Sequence, residues 1–126
     1  MIVDRIDHFV LTVSDLDATI DFYVRVLGMR VETFRGDRKA LQFGSSKINL
    51  HLAGHEFEPK ASVPTPGSAD LCLVVDDTVE SVIAQLRENS IDIVEGPVER
   101  TGATGPIRSV YVRDPDGNLI ELSNYL

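Results

Sequence analysis

The chain has 126 residues, enough for one small domain; 43% are hydrophobic and 25% charged, a globular balance that argues against disorder. Twenty acidic residues against 12 basic ones leave a formal net charge of -8, and an acidic surface repels phosphate backbones, so no nucleic-acid partner is expected. No apolar run approaches the roughly 18 residues a membrane span needs, and the opening Met1-Ile2-Val3-Asp4-Arg5 lacks the apolar stretch of a signal peptide, so neither membrane nor export is expected.

In chain order, Asp7-His8-Phe9-Val10-Leu11-Thr12-Val13 reads as a strand that turns at Ser14-Asp15. A helix follows. Ser14 and Asp17 have capping-box spacing, and Leu16, Ile20, Tyr23, Val24 and Leu27 recur at helical intervals before Gly28 supplies a stop. Three short strands are expected at 30–34, 40–43 and 47–52, the last two joined by the turn Gly44-Ser45-Ser46. Residues 54–68, with Pro59, Pro64 and Pro66, read as a linker.

The pattern then begins again. Ala69-Asp70-Leu71-Cys72-Leu73-Val74-Val75 aligns with the first strand at an offset of 62, and its lone cysteine, expected to be buried there, points to a reducing, cytoplasmic location. Asp77 and Glu80 repeat the cap spacing, Val79, Val82, Ile83 and Leu86 make the apolar stripe, and Asn89 ends the helix. Strands are expected at 91–95, 109–113 and 118–123, the last two joined by Asp114-Pro115-Asp116-Gly117, with a Gly- and Pro-rich loop at 96–107. The expected class is therefore α+β: one domain, 1–126, of two tandem βαβββ units at about 1–53 and 69–126.

Alternation along the strands sorts their side chains onto two faces. Phe9, Leu11, Val13, Ile48, Leu50 and Leu52 should lie under the first helix, with His8, Asn49 and His51 opposite. Leu71, Leu73, Ile120 and Leu122 should lie under the second, with Asp70 and Glu121 opposite. With the final strands matched at an offset of 70, His8, Asp70, His51 and Glu121 take equivalent places in the repeat. Two imidazoles and one or two carboxylates make a mixed nitrogen and oxygen site, suited to Zn, Ni, Fe, Co or Mn rather than to Ca or Mg. A carboxylate within Leu119-Ile120-Glu121-Leu122 needs a partner or a metal to offset its burial.

Paired βαβββ units with His8, His51 and Glu121 so placed resemble the vicinal oxygen chelate superfamily: glyoxalase I, bleomycin-resistance proteins, fosfomycin-resistance thiol transferases and extradiol dioxygenases. The stretches Ile6-Asp7-His8, Phe22-Tyr23, Leu27-Gly28-Met29, Asp37-Arg38-Lys39-Ala40-Leu41, Asn49-Leu50-His51 and Glu56-Phe57-Glu58-Pro59-Lys60 are similar to the branch that includes glyoxalase domain-containing protein 5. So are Gly96-Pro97-Val98, Arg100-Thr101-Gly102-Ala103, Gly105-Pro106-Ile107, and Arg113-Asp114-Pro115-Asp116 with Asn118-Leu119-Ile120-Glu121. The resemblance covers nearly the whole chain. It implies a curved eight-stranded mixed sheet around a cleft, a divalent metal held there, and a small substrate chelated through adjacent oxygens. It further implies a symmetric homodimer whose clefts are completed by both subunits.

On the family pattern Glu121 is metal ligand and catalytic base, with His8 and His51 as ligands. Asp70 departs from it, since glyoxalase I, the thiol transferases and the dioxygenases commonly carry histidine in that slot. Whether Asp70 binds the metal or orients a histidine that does is open. Arg100, Arg108 and Arg38 are candidate substrate-binding residues, the first two because the 96–107 segment reads as a lid or anion-binding edge, or else as an ordinary surface loop. The expected function is a metal-dependent, glyoxalase-like lyase or isomerase. The alternatives are a non-catalytic binding or antibiotic-resistance protein, or a thiol transferase or dioxygenase of the same superfamily.

Overall fold

Both helical stripes and most of the alternating runs become the elements they encode in the computed structural model, which describes residues 1–126. The first half forms β1 (His8–Val13), α1 (Leu16–Asp21) continued by a π-helical turn (Phe22–Val26), β2 (Arg30–Phe34), β3 (Arg38–Phe43) and β4 (Ser46–Leu52). The second forms β5 (Asp70–Val74), α2 (Val79–Glu88), β6 (Glu95–Thr101), β7 (Pro106–Arg113) and β8 (Leu119–Tyr125). These fall into two compact units, Met1–Gly67 and Ser68–Leu126. Each unit builds its own four-stranded mixed sheet, ordered β1-β4-β3-β2 and β5-β8-β7-β6. In both, the first and last strands pair in parallel and the others antiparallel. The tandem βαβββ, α+β architecture is thus present.

Both helices start one residue later than the cap spacings imply. Asp15, not Ser14, accepts the Ala18 N–H at 3.0 Å, and Thr78, not Asp77, accepts that of Ser81 at 3.2 Å. A side-chain oxygen one position nearer the first turn reaches those free N–H groups more directly. Gly28 ends the first helix at φ +69, donating to the Val24 carbonyl at 3.1 Å, and Asn89 caps the second.

The larger correction concerns 91–107. The strand expected at 91–95 starts only at Glu95, and the expected loop is largely the β6–β7 hairpin, closed where the Gly102 N–H meets the Gly105 carbonyl at 2.8 Å. Gly96 and Pro97 look like strand breakers, but β6 is an edge strand and its register shifts between Glu95 and Val98. A bulge on an edge is where a sheet accommodates both residues. Gly96 is required there: it adopts φ +110, and a Cβ would meet the Ser109 carbonyl oxygen at 2.5 Å.

Parity holds in each core. Leu11, Val13, Ile48 and Leu50 are buried with Leu41, Phe22, Tyr23 and Met29 in the first unit. Val110, Val112, Ile120 and Leu122 are buried with Val79, Val82 and Leu86 of α2 in the second. Each such side chain contributes roughly 1.5–3 kcal/mol on burial. Cys72, expected to be buried, is exposed with Asp70 and Val74, because these alternate positions of β5 face away from that core. No helix is long and apolar enough to cross a membrane.

Candidate functional site

Hydrogen-bond register decides which of the candidate residues correspond. On β4, Lys47, Asn49 and His51 stand opposite His8, Val10 and Thr12 of β1. On β8, Leu119, Glu121 and Ser123 stand opposite Asp70, Cys72 and Val74 of β5. His8 and Asp70 are therefore equivalent, as expected, but the counterpart of Glu121 is Asn49, and that of His51 is Ser123. The matching of His51 with Glu121 is corrected by two residues. A slip of two preserves every side chain's face, so alternation in the sequence cannot detect it.

The correction separates the histidines. His51 lies four residues further along the ladder than the partner of His8, roughly 13 Å at about 3.3 Å per residue, a long reach for two imidazoles to share one ion. His8 with Asn49, and Asp70 with Glu121, are instead diagonal neighbours two residues apart, within about 7–8 Å.

Asn49 and Glu121 have more in common than register. Asn49 Oδ1 and Glu121 Oε1 are the two buried side-chain polar atoms without a hydrogen-bond partner. Such an oxygen costs desolvation that nothing repays, and in each unit a donor from outside the protein would satisfy it. His8 is oriented to act as a donor too, since its Nδ1 lies 2.7 Å from Asp7 Oδ1, which fixes the ring and leaves Nε2 free. That contact also holds the Asp7 carboxyl below its usual range. The donor types fit a divalent ion, although no three His, Cys, Asp or Glu side chains stand together in an arrangement that could hold one.

Around Glu121 the sheet supplies Cys72 on β5, Tyr111 on β7 and, beyond Tyr111, Glu95 on β6. Partial burial pushes the Cys72 thiol up; the Ser123 hydroxyl, at 3.3 Å, opposes the rise and Glu121 adds to it. Burial also raises Tyr111, Glu121 adds to the effect, and Arg100 counteracts it. Arg100 has its guanidinium 5.7 Å from the Tyr111 ring centroid and is paired with Glu95 at 3.2 Å. It therefore borders the Glu121 row. Arg108 does not: it is ion-paired with Glu80 of α2, on the opposite face of the sheet. Alternation on β7, legible once 106–113 is known to be a strand, places it there.

Arg38 and His51 meet in the first unit. One step beyond the Lys39–Leu50 pair, they stand side by side across β3 and β4. Phe57, from the segment after β4, contacts both: its ring is edge-on to His51 at 5.6 Å and lies 4.1 Å beneath the Arg38 guanidinium. His51 is 9% exposed, and burial, then the Arg38 charge, holds its imidazole below the ordinary value. Alternation alone puts Asn49 on the face of His51 and Cys72 on that of Asp70; cross-strand register is what sets Cys72 and Tyr111 beside Glu121.

Comparison with known proteins is consistent across nearly the whole chain. Residues 5–122 match the Glyoxalase/Bleomycin resistance protein/Dioxygenase superfamily. Virulence protein STM3117 of Salmonella typhimurium is 62% identical over 126 residues, covering 100% of this chain and 88% of that protein. Its crystal structure aligns with a TM-score of 0.99 over 100% of both chains. Glyoxalase domain-containing protein RDO1 of Mycosarcoma maydis is 62% identical, covering 98% of this chain and 69% of its own. Lactoylglutathione lyase of Escherichia coli O157:H7 is 31% identical, covering 94% and 90%.

Proposed function

We propose, for a chain that belongs to the glyoxalase/bleomycin resistance protein/dioxygenase superfamily, a metal-dependent lyase or isomerase reaction of the glyoxalase I type on a small oxygenated metabolite. The observation that carries this reading is Glu121 Oε1, a buried carboxylate oxygen that no protein group satisfies. The proposed donors are, in the first unit, His8 and the Asn49 amide oxygen, which takes the place of the displaced His51, and, in the second unit, Asp70 and Glu121. A bound Zn, Ni, Fe, Co or Mn ion would serve as Lewis acid toward adjacent substrate oxygens. Glu121 would be the base that takes a proton from a substrate carbon and returns it one atom along. Asp7 orients His8, while Tyr111 and Arg100 flank Glu121 and offer donors to substrate oxygen.

Within the superfamily, the motifs around Asn49-Leu50-His51 and Gly96-Pro97-Val98 favour the branch of glyoxalase domain-containing protein 5. Turnover of a hemithioacetal is the starting expectation, since a lactoylglutathione lyase is among the relatives. Aspartate at position 70 disfavours the dioxygenase and thiol-transferase alternatives, whose pattern has histidine there. A cytoplasmic homodimer completes the proposal; Ile2, Val3, Ile6, Val10 and Val74 are exposed apolar residues available to a second copy.

Metal content of the purified protein by mass spectrometry tests the reading. About one ion per subunit is expected, falling at least tenfold in Glu121→Gln and in His8→Ala. Full retention in both variants would sink it. Tight binding of a small molecule that ignores chelator and is not turned over would favour the non-catalytic binding protein instead.

A further inference from the structure

The first unit holds a second polar site that the metal chemistry leaves unused. His51 is nine-tenths buried, and its contact is the edge of Phe57; its ring nitrogens bond no protein group. Arg38 is half-buried, stacked on the face of Phe57, and forms no ion pair, whereas Arg25, Arg100 and Arg108 each hold a carboxylate. In a chain with 20 acidic residues, a fixed guanidinium without a carboxylate is an open anion receptor. Stacking occupies one face of the guanidinium and leaves its in-plane N–H groups unengaged. The nearby acids are engaged elsewhere: Glu56 accepts the Gly54 N–H at 3.2 Å, and Glu58 is paired with Lys60.

We infer that Arg38, His51 and Phe57 form a pocket for the carboxylate of an organic acid. The guanidinium donates two parallel N–H bonds to the carboxylate oxygens, the His51 ring N–H adds a third donor, and Phe57 holds the guanidinium plane. A carboxylate fits better than a phosphate dianion, because Glu56 and Glu58 lie close enough to act on His51 electrostatically and repel the second charge. The inference rests on the proposed function for what it says of the substrate. Asn49 and His51 project from the same face two residues apart, roughly 7 Å along the strand. The reacting oxygens and the carboxylate are therefore separated by about five carbon–carbon bonds, each near 1.5 Å before projection, which makes the substrate an oxo- or hydroxy-acid of intermediate length.

The probe is hexanoate, an acid of that span with no second group to chelate a metal, followed through the His51 imidazole resonances in NMR titrations of the full chain. Saturable shifts are expected with hexanoate, with at least tenfold weaker binding of hexanamide and of inorganic phosphate. Arg38→Gln should weaken hexanoate at least tenfold, and Phe57→Leu, which keeps the charge but frees the guanidinium, should weaken it by less. Chelator should change nothing. Equal binding of hexanamide, tighter binding of phosphate, indifference to both substitutions, or no saturable shift overturns the pocket. Hexanoate bound by a protein that takes up no metal would leave the pocket standing and remove the proposed function; metal without hexanoate would do the reverse.

Discussion

Asn124 joins two elements at one point. Its Nδ2 donates to the carbonyls of Val75 and Asp77 at 2.9 and 2.8 Å, and its Oδ1 accepts the Val79 N–H at 2.9 Å, so β8 holds the first turn of α2. Truncation to alanine leaves three backbone groups to find water or remain unpaired, and Asn124→Ala should lower stability by about 2–3 kcal/mol in urea unfolding. His51 sets a pH dependence of known sign. Burial depresses its folded pKa, so as pH falls through the unfolded value near 6.5 the unfolded chain binds the proton first. Its contribution is complete above that value and is lost as pH falls towards the folded pKa. The urea midpoint should therefore drop between about pH 7.5 and 5.5, and His51→Gln should flatten that part of the profile. At this scale the sequence indicated the faces of His8, Asn49, His51, Asp70 and Glu121, because alternation is a local property; the faces of Arg108 and Tyr111 follow only once 106–113 is known to be a strand. It did not indicate which residues are opposite one another: the Asn49–Glu121 correspondence and the Arg38–Phe57–His51 contacts depend on ladders and on a return of the chain that no local pattern encodes.

Between elements, the informative case is the β6–β7 hairpin. Gly96 lets β6 approach β7 closely enough that a methyl group would collide with the Ser109 carbonyl. Relief requires moving backbone on two strands, and the left-handed φ penalises alanine independently. Gly96→Ala should cost about 2–4 kcal/mol, or prevent folding, whereas Gly44→Ala, with open space around its Cβ position and φ +50, should cost nearer 1 kcal/mol. Comparing the two thermal midpoints separates collision from dihedral strain. Helices were legible to within a residue because apolar periodicity and capping oxygens are both local. The edge strand was not, because Gly and Pro carry the same signal in a loop as in a bulge, and only the neighbouring strand distinguishes them.

At the scale of the molecule, duplication was the most legible feature, since Asp7-His8-Phe9-Val10 and Ala69-Asp70-Leu71-Cys72 open two runs of the same strand and helix signals. The exposed apolar residues Ile6, Val10 and Val74 give the proposed homodimer a test of its own. Light scattering should report twice the 13.9 kDa chain mass, and Val10→Lys combined with Val74→Lys should shift the population to the monomer. A monomeric wild type at micromolar concentration contradicts it.

The equivalence of Asn49 and Glu121 in register gives the protein an internal reference. Each unit shows what the same register position tolerates when the other chemistry occupies it, since an amide and a carboxylate both leave one oxygen buried and unpartnered there. Glu121→Asn would copy the first slot into the second, and Asn49→Asp would carry a charge the other way. Measured side by side, the two changes show what each slot requires of charge, using side chains that the repeated architecture already holds at equivalent positions.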